Sequence, residues 1–305
     1  MRNFLIIPIL FIFLVSCSNS EDFDIPKISK LEKLEEHSNQ FIKGIYSYDN
    51  GIHVAIGFGI ANSIMVEGEG GNIIIDTTDD VSQAKEVLSE FQKINQNPIK
   101  AIIYTHNHGD HVFGASEFYN AQEEKPLVIA HSTTAEKVEK ILGIINPIIT
   151  LRSGKMFGTN LDDNELINVG LGPYLSAGRS SPGYIAPTMT FEKELKLEIA
   201  GHKVELYHAP GETDDQLFVW FPELSALMPG DNFYTTFPNL YTIRGTSHRD
   251  VIGWVNSIDK MRSLDPQYLF PSHTMPVEGE EISNALIIYS CLLYTSDAAD
   301  EGLGV

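Results

Sequence analysis

The apolar positions along the chain fall first into short runs with extended character. Residues 52–57, 61–67 and 72–76 read as strands, and the Gly-rich "EGEGG" between the last two predicts a hairpin. "DVSQAKEVLSEFQKI" changes to helical spacing, with Val81, Ala84, Val87, Leu88 and Phe91 on one face and Asp79 or Asp80 as cap. "IKAIIYT" and "PLVIA" are continuous apolar runs and predict buried strands; "HSTTAEKVEKILGII" predicts a helix. Residues 150–190 are rich in Gly, Ser, Asn and Pro and predict an irregular segment of functional or disordered character. Strands resume with "TFEKELKLEIAG", "HKVELYHA", "QLFVWFP" and "LSALMPGD". An aromatic loop, "NFYTTFPNLYTIRG", a helix over 250–264, a short strand "YLF" and a helix over 280–288 complete the pattern. Strands flanked by helices in this order predict a layered α/β or α+β sandwich.

The two ends depart from this pattern. "MRNFLIIPILFIFLVSC" has the short apolar run of a secretory signal peptide rather than a membrane span. "LVSC" resembles a bacterial lipobox, which implies lipidation of Cys17 and an exported protein anchored to the cell envelope, periplasmic or in the outer membrane. Residues 1–17 are thus read as a lipoprotein signal, 18–45 as a tether with a short helix, and 46–290 as the catalytic domain. The stretch from 291 to 305, "CLLYTSDAADEGLGV", breaks from the helical pattern and resembles translated sequencing-adapter read-through. A non-native tail is expected there, with the natural chain continuing beyond about Ser290. With Cys17 lipidated, Cys291 is left without an intramolecular partner.

Composition narrows the partners. The chain carries 21 Lys+Arg against 41 Asp+Glu, a formal charge of −20, so nucleic acid is excluded as a non-specific partner. An anionic ligand would have to be held by a local basic or metal feature.

That feature is suggested by "YTHNHGDHVFG", where "IKAIIYT" ends. A loop leaving a rigid strand end can turn His106 and His108 toward one cation, and Asp110 and His111 toward a second. Imidazole and carboxylate suit Zn²⁺ and other borderline dications.

The motif resembles that of the metallo-β-lactamase superfamily, which implies a four-layer αβ/βα sandwich of α+β class with the metal site at the rim between two sheets. Three further ligand positions are implied, and each has a match. "HAPGETDDQ" matches the superfamily's Pro-Gly-His-Thr turn, with Glu212 in the His place; "LMPGDNFY" supplies Asp231 as bridging carboxylate; "FPSHTMP" supplies His273. The resemblance implies one site of His106, His108, Glu212 and Asp231 and a second of Asp110, His111, His273 and Asp231. Two Zn²⁺, or other divalent ions, would share Asp231 with a bridging hydroxide as nucleophile. His208 is the nearest rival to Glu212. His131, His202 and His248 have no motif context and read as surface or supporting residues. Asp76 matches a position that buttresses the ligand loop, and reads equally as a strand-end turn residue.

Glu212, together with "VGLGP", "FPNLYTIRG", "RSGKMFG" and "PSHTMP", resembles the alkylsulfatases of that superfamily, from about residue 50 to 290. One departure is Asp231, where the alkylsulfatases carry Glu. The resemblance implies hydrolysis of an anionic sulfate ester bearing an apolar chain, and a homodimer in a longer natural protein. The expected catalytic residues are Asp110, Arg244 as the sulfate-binding cation, and Asn239 and Tyr241 as further donors. Phe233, Tyr234, Phe237, Leu240 and apolar residues of 150–190 are expected to line an alkyl channel or to pack in the core. Two alternatives stand beside this reading: a hydrolase of the same fold acting on a lactam, lactone, thioester or phosphoester, and a non-catalytic metal-binding lipoprotein.

Overall fold

The computed structural model describes residues 30–162, 165–175 and 182–303; Cys17 and the apolar run before it lie outside the described residues. Two sheets stack face to face. In the first, β1 (Gly44–Ser47), β2 (Ile52–Ile56), β3 (Ser63–Gly68) and β4 (Gly71–Ile75) form an antiparallel meander. β5 (Ile99–Ile103), β6 (Leu127–His131) and β7 (Met189–Phe191) then extend it in parallel. In the second, the order is β13 (Val277–Glu278), β12 (Tyr268–Leu269), β11 (Ala226–Met228), β10 (Leu217–Phe221), β9 (His202–His208) and β8 (Glu194–Ile199).

The residues that alternate along each strand explain the layering. Ile52, Val54 and Ile56 of β2, Ile64 and Val66 of β3, and Ile73 and Ile75 of β4 meet Leu206, Leu217, Val219 and Met228 of the second sheet, and all are buried. The opposite face of the first sheet is covered by α2 (Val81–Ile94), α4 (Ala115–Asn120) and α5 (Thr134–Leu142), through Ala84, Val87, Phe91, Phe118 and Val138. The opposite face of the second is covered by α7 (Val251–Arg262) and α8 (Glu281–Leu303), through Trp254, Ile258, Leu286 and Tyr289. This is the expected four-layer sandwich. α1 (Lys30–His37), α3 (Gly109–Val112) and α6 (Asn146–Met156) are the remaining α-helices among the described residues, and α3 adds Val112 to the core under the first helical layer.

Several details differ from the pattern reading. "TFEKELKLEIAG" is two strands, β7 and β8, which belong to different sheets; the chain crosses between the halves at Glu192 and Lys193. Residues 146–156 are helical, with Pro147 in the first turn of α6, where its missing N–H costs nothing. The helix was hidden because it buries none of its side chains: Ile148 and Leu151 are exposed. The pattern break at Cys291 is not a break in the backbone. α8 runs on to Leu303, because Leu293 continues the face set by Leu286 and Tyr289 and is fully buried. Asp80, not Asp79, caps α2, its carboxylate accepting from the Gln83 N–H at 2.9 Å. Among the described residues no helix is long and apolar enough to cross a membrane.

Candidate metal centre

The strands of both sheets end at one rim. The loop after β5 supplies His106 and His108, and α3, which follows it, Asp110 and His111; the turn after β9 supplies Glu212; the turn after β11 supplies Asp231; and the loop after β12 supplies His273. Six of the seven are buried or nearly so, and Asp110 is partly exposed. Each turn has a local cause. Gly211 sits where a Cβ would come within 2.0 Å of Asn232 Oδ1, and Gly230, at φ +59°, lets the chain reverse just before Asp231.

Two groups of ligand atoms form. In one, His106, His108 and Asp231 each offer an atom, all within 4.8 Å of one another; in the other, Asp110, His111 and His273 do the same. His106 Nε2 lies 2.8 Å from His108 Nδ1 and 3.6 Å from Asp231 Oδ2. His111 Nε2 lies 3.4 Å from both Asp110 Oδ2 and Asp231 Oδ2. His273 Nε2 lies 3.2 Å from Asp231 Oδ1 and 3.5 Å from Asp110 Oδ2. Asp231 therefore stands between the two groups, as the motif predicts.

Glu212 stands apart from both triads. Its Oε1 faces Arg249 Nη2 at 2.9 Å, an ion pair almost wholly removed from water. Its Oε2 is buried with no hydrogen-bond partner, as are Asp231 Oδ1 and His111 Nε2. Orphaned buried polar atoms are costly, and three of them around one point call for a group that satisfies lone pairs. The donor set of imidazoles and carboxylates fits a dication such as Zn²⁺.

The electrostatics agree. Burial pushes His106 down to about 4. Burial, and then Arg244 nearby, hold His108 well below the usual histidine range, so both rings are neutral as metal ligands must be. At the other triad burial also opposes charge, yet Asp231, Asp110 and Asp76 together raise His111 well above its usual value. His273 is raised to about 9 against its burial, chiefly by Asp231. The carboxylates thus make this spot attractive to positive charge. Burial lifts Glu212 to about 7, with Arg249 pulling against it.

A second layer holds the ligands. Asp76, at φ 57° and fully buried, accepts from Thr105 N–H, Thr105 Oγ1, His111 Nδ1 and Ser272 Oγ, at 2.9, 2.8, 2.7 and 2.8 Å. It is a buttress to both sheets rather than an idle turn residue. The Ile60 carbonyl accepts from His273 Nδ1 at 2.8 Å, and Asn107 donates to the buried Asp215, which also accepts from Thr134. Sequence reading missed Arg249, Asp215 and Asn107, because none belongs to a spaced motif.

The other predicted residues divide. Arg244 Nη2 lies 3.1 Å from His108 Nε2 and, with Asn239, lines a cavity of about 370 Å³ that opens onto Asp110, Glu212, Asp231 and His273. Tyr241 does not reach this cavity; it is 60% exposed and lines a neighbouring one with Phe237 and Leu240. Phe233, Tyr234 and Leu240 pack in the core against α7 and α8. The apolar wall comes instead from Phe113, Ile141, Leu142, Ile149, Phe157 and Leu171, partly from the segment that reads as irregular. His208 is turned away: its Nε2 contacts the Asp214 carbonyl at 2.7 Å, and its ring stacks on His131 at 4.1 Å. His202 contacts the Glu67 carbonyl, and His248 is exposed.

Comparison with known proteins places this arrangement. The family model described as the metallo-beta-lactamase superfamily matches residues 56–273. A linear primary-alkylsulfatase of Pseudomonas sp. (strain ATCC 19151) is 40% identical over 223 residues, which cover 71% of this chain and 42% of that protein. An alkyl/aryl-sulfatase of Saccharomyces cerevisiae is 26% identical, over 81% of this chain and 40% of its own length. The chain thus spans about two-fifths of these relatives. The solved structure of a stereoselective inverting sec-alkylsulfatase from Pseudomonas sp. superposes with a TM-score of 0.81 at 22% identity, over 90% of this chain and 44% of that one. A metallo-beta-lactamase from Pontibacter korlensis superposes with a TM-score of 0.56 at 18% identity, over 82% of this chain and 98% of that one.

Proposed function

The chain belongs to the metallo-beta-lactamase superfamily, and from that premise we propose that it is a dinuclear-metal hydrolase of alkyl sulfate esters: R–O–SO₃⁻ + H₂O → R–OH + HSO₄⁻. The observation that carries this reading is one cavity with two kinds of lining. Members of both ligand triads (His108, Asp231, Asp110 and His273) line it together with Arg244, and so do the apolar Phe113, Ile149, Phe157 and Leu171. An amphiphile with an anionic head and an apolar tail fits such a cavity.

In this reading His106, His108, Glu212 and Asp231 hold one dication, and Asp110, His111, His273 and Asp231 the other. When bound, the pair supplies a nucleophilic water at neutral pH and positive charge for the ester oxygens. The chain's own residues do the rest. Arg244 presents a planar fork of donors to the sulfate oxygens, a better match than a point charge in a chain of net charge −20. Asn239, on the same loop, adds a donor. The apolar wall excludes water and orients the alkyl chain, so that the reacting ester is held rather than met by chance. Asp76 fixes the His111 ring through Nδ1 and leaves Nε2 directed at the centre. The anchored, exported location through Cys17 belongs to the same proposal; loss of fatty-acid labelling in Cys17→Ser checks it.

Turnover of dodecyl sulfate, nitrocefin and a phosphodiester by the purified protein tests the assignment. Cleavage of dodecyl sulfate alone is the expected result. Cleavage of either other substrate with none of the sulfate ester would overturn it.

A further inference from the structure

We propose that Arg249 is a positioning residue with two tasks: it offsets the charge that Glu212 brings to a place where the superfamily usually has a neutral histidine, and it ties that carboxylate to the substrate loop. The inference rests on the reading of Glu212 as a metal ligand.

The charge argument starts from burial. Glu212 and Arg249 have side chains 2% exposed each, so neither is solvated. A lone carboxylate there would stand beside Asp231, on a cavity that Asp110 also lines. A lone guanidinium would face two cations once the site is filled. As a pair they carry no net charge, like the imidazole they replace. The cation lies on Oε1, at 2.9 Å, and Oε2 remains without a hydrogen-bond partner, free to serve as a ligand. The Glu212 N–H is held separately by Asn232 Oδ1 at 3.3 Å, so the turn is fixed from both ends of the residue.

The second task follows from the other arm of the guanidinium. Arg249 Nη1 donates to the carbonyl of Asn239, on the cavity wall. The segment between these two residues carries Arg244, whose Nη2 meets His108 Nε2 at 3.1 Å. One side chain therefore closes the loop bearing the sulfate-binding groups and fastens it to the ligand turn. The guanidinium reaches the loop by a hydrogen bond from Nη1 and Glu212 by an ion pair at Nη2, two separate contacts that Lys, with one point of charge, cannot reproduce.

A swap experiment tests this. Zn²⁺ affinity, by titration against a chelating indicator, and the melting temperature of the metal-free protein are measured for wild type, Glu212→His, Arg249→Met and the double variant; KM and kcat for dodecyl sulfate are read on the Zn²⁺-loaded proteins. Each single change should weaken Zn²⁺ binding by at least about tenfold, the usual scale for a residue supporting a ligand. The double variant should recover to within about threefold of wild type in affinity and recover the metal-free melting temperature, because a neutral histidine again faces no unpaired guanidinium. Its KM should stay raised, since Asn239 has lost its tie. Arg249→Lys should keep Zn²⁺ affinity and raise KM while kcat changes little. Additive losses in the double variant overturn the charge coupling, and an unchanged KM in Arg249→Lys overturns the loop tie. The ligand reading fails separately: Glu212→Ala with wild-type metal content would remove Glu212 from the metal site, whatever the swap shows.

Discussion

Asp76 Oδ2 lies 2.7 Å from His111 Nδ1 and 2.8 Å from Ser272 Oγ, so one carboxylate from the first sheet grips a ligand of its own sheet and the loop carrying His273. Four donors depend on it, all buried. Asp76→Ala should cost about 3 kcal/mol or more, because the donors are left unpaired. Chemical denaturation checks the magnitude, and metal content should fall in the same variant. A stable variant with full metal would refute the buttress.

Removing metal should abolish turnover and lower the melting temperature. His111 Nε2, Glu212 Oε2 and Asp231 Oδ1 are buried without hydrogen-bond partners, and Asp231 opposes the ionisation of both Asp110 and Glu212. Elemental analysis of the purified protein should give about two equivalents of metal per chain. Prolonged chelation followed by a thermal melt tests the second half; undiminished turnover without metal would contradict it.

Arg244→Ala should lower kcat/KM for dodecyl sulfate by roughly 10- to 100-fold, the worth of a lost charge-assisted hydrogen bond. Metal content should change far less than turnover, since Arg244 belongs to neither ligand triad. Steady-state kinetics beside elemental analysis separates the two. Equal activity would remove Arg244 from the mechanism.

The apolar wall should set chain-length preference. Each methylene buried there is worth about 0.8 kcal/mol, roughly a fourfold step in kcat/KM. Ile149→Trp narrows the cavity and should depress turnover of dodecyl sulfate far more than hexyl sulfate. A uniform loss across chain lengths would mean the tail lies elsewhere.

Trp254 is fully buried, and its Nε1 donates to the Asn232 carbonyl, beside Asp231, at 3.0 Å. Trp254→Ala should cost about 3–5 kcal/mol and leave a cavity behind the bridging carboxylate. Denaturant unfolding gives the number; a loss under about 1 kcal/mol would show that the layer can collapse around the gap.

What the sequence made legible follows from distance along the chain. His106, His108, Asp110 and His111 are neighbours, and the resemblance to a known family pointed to Asp231 and His273, so the residues of both triads could be found; Glu212, found the same way, stands outside them. The buried strands were equally plain, because β-branched runs such as "IKAII" have few alternatives. Arg249 was hidden: its importance comes from Glu212, far off in sequence, and an Arg in "SHRD" looks like any surface charge. α6 was hidden for the opposite reason: Ile148 and Leu151 are exposed, Ile149 faces the cavity, and no buried face is left to betray a period. Tyr241 shared the right segment with Asn239 and Arg244, but a loop does not fix which way each side chain faces.

The centre takes its ligands from the ends of two sheets, and the Asn62 amide spans the same seam by donating to the carbonyls of Pro271 and Thr274 at 3.1 and 2.9 Å. Residues 106–111 lie on the first half of the chain and residue 273 on the second, and they meet only where the two sheets have stacked. A chain interrupted between the two halves would therefore carry the most conspicuous motif of the protein without the carboxylate and histidine that face it across the seam.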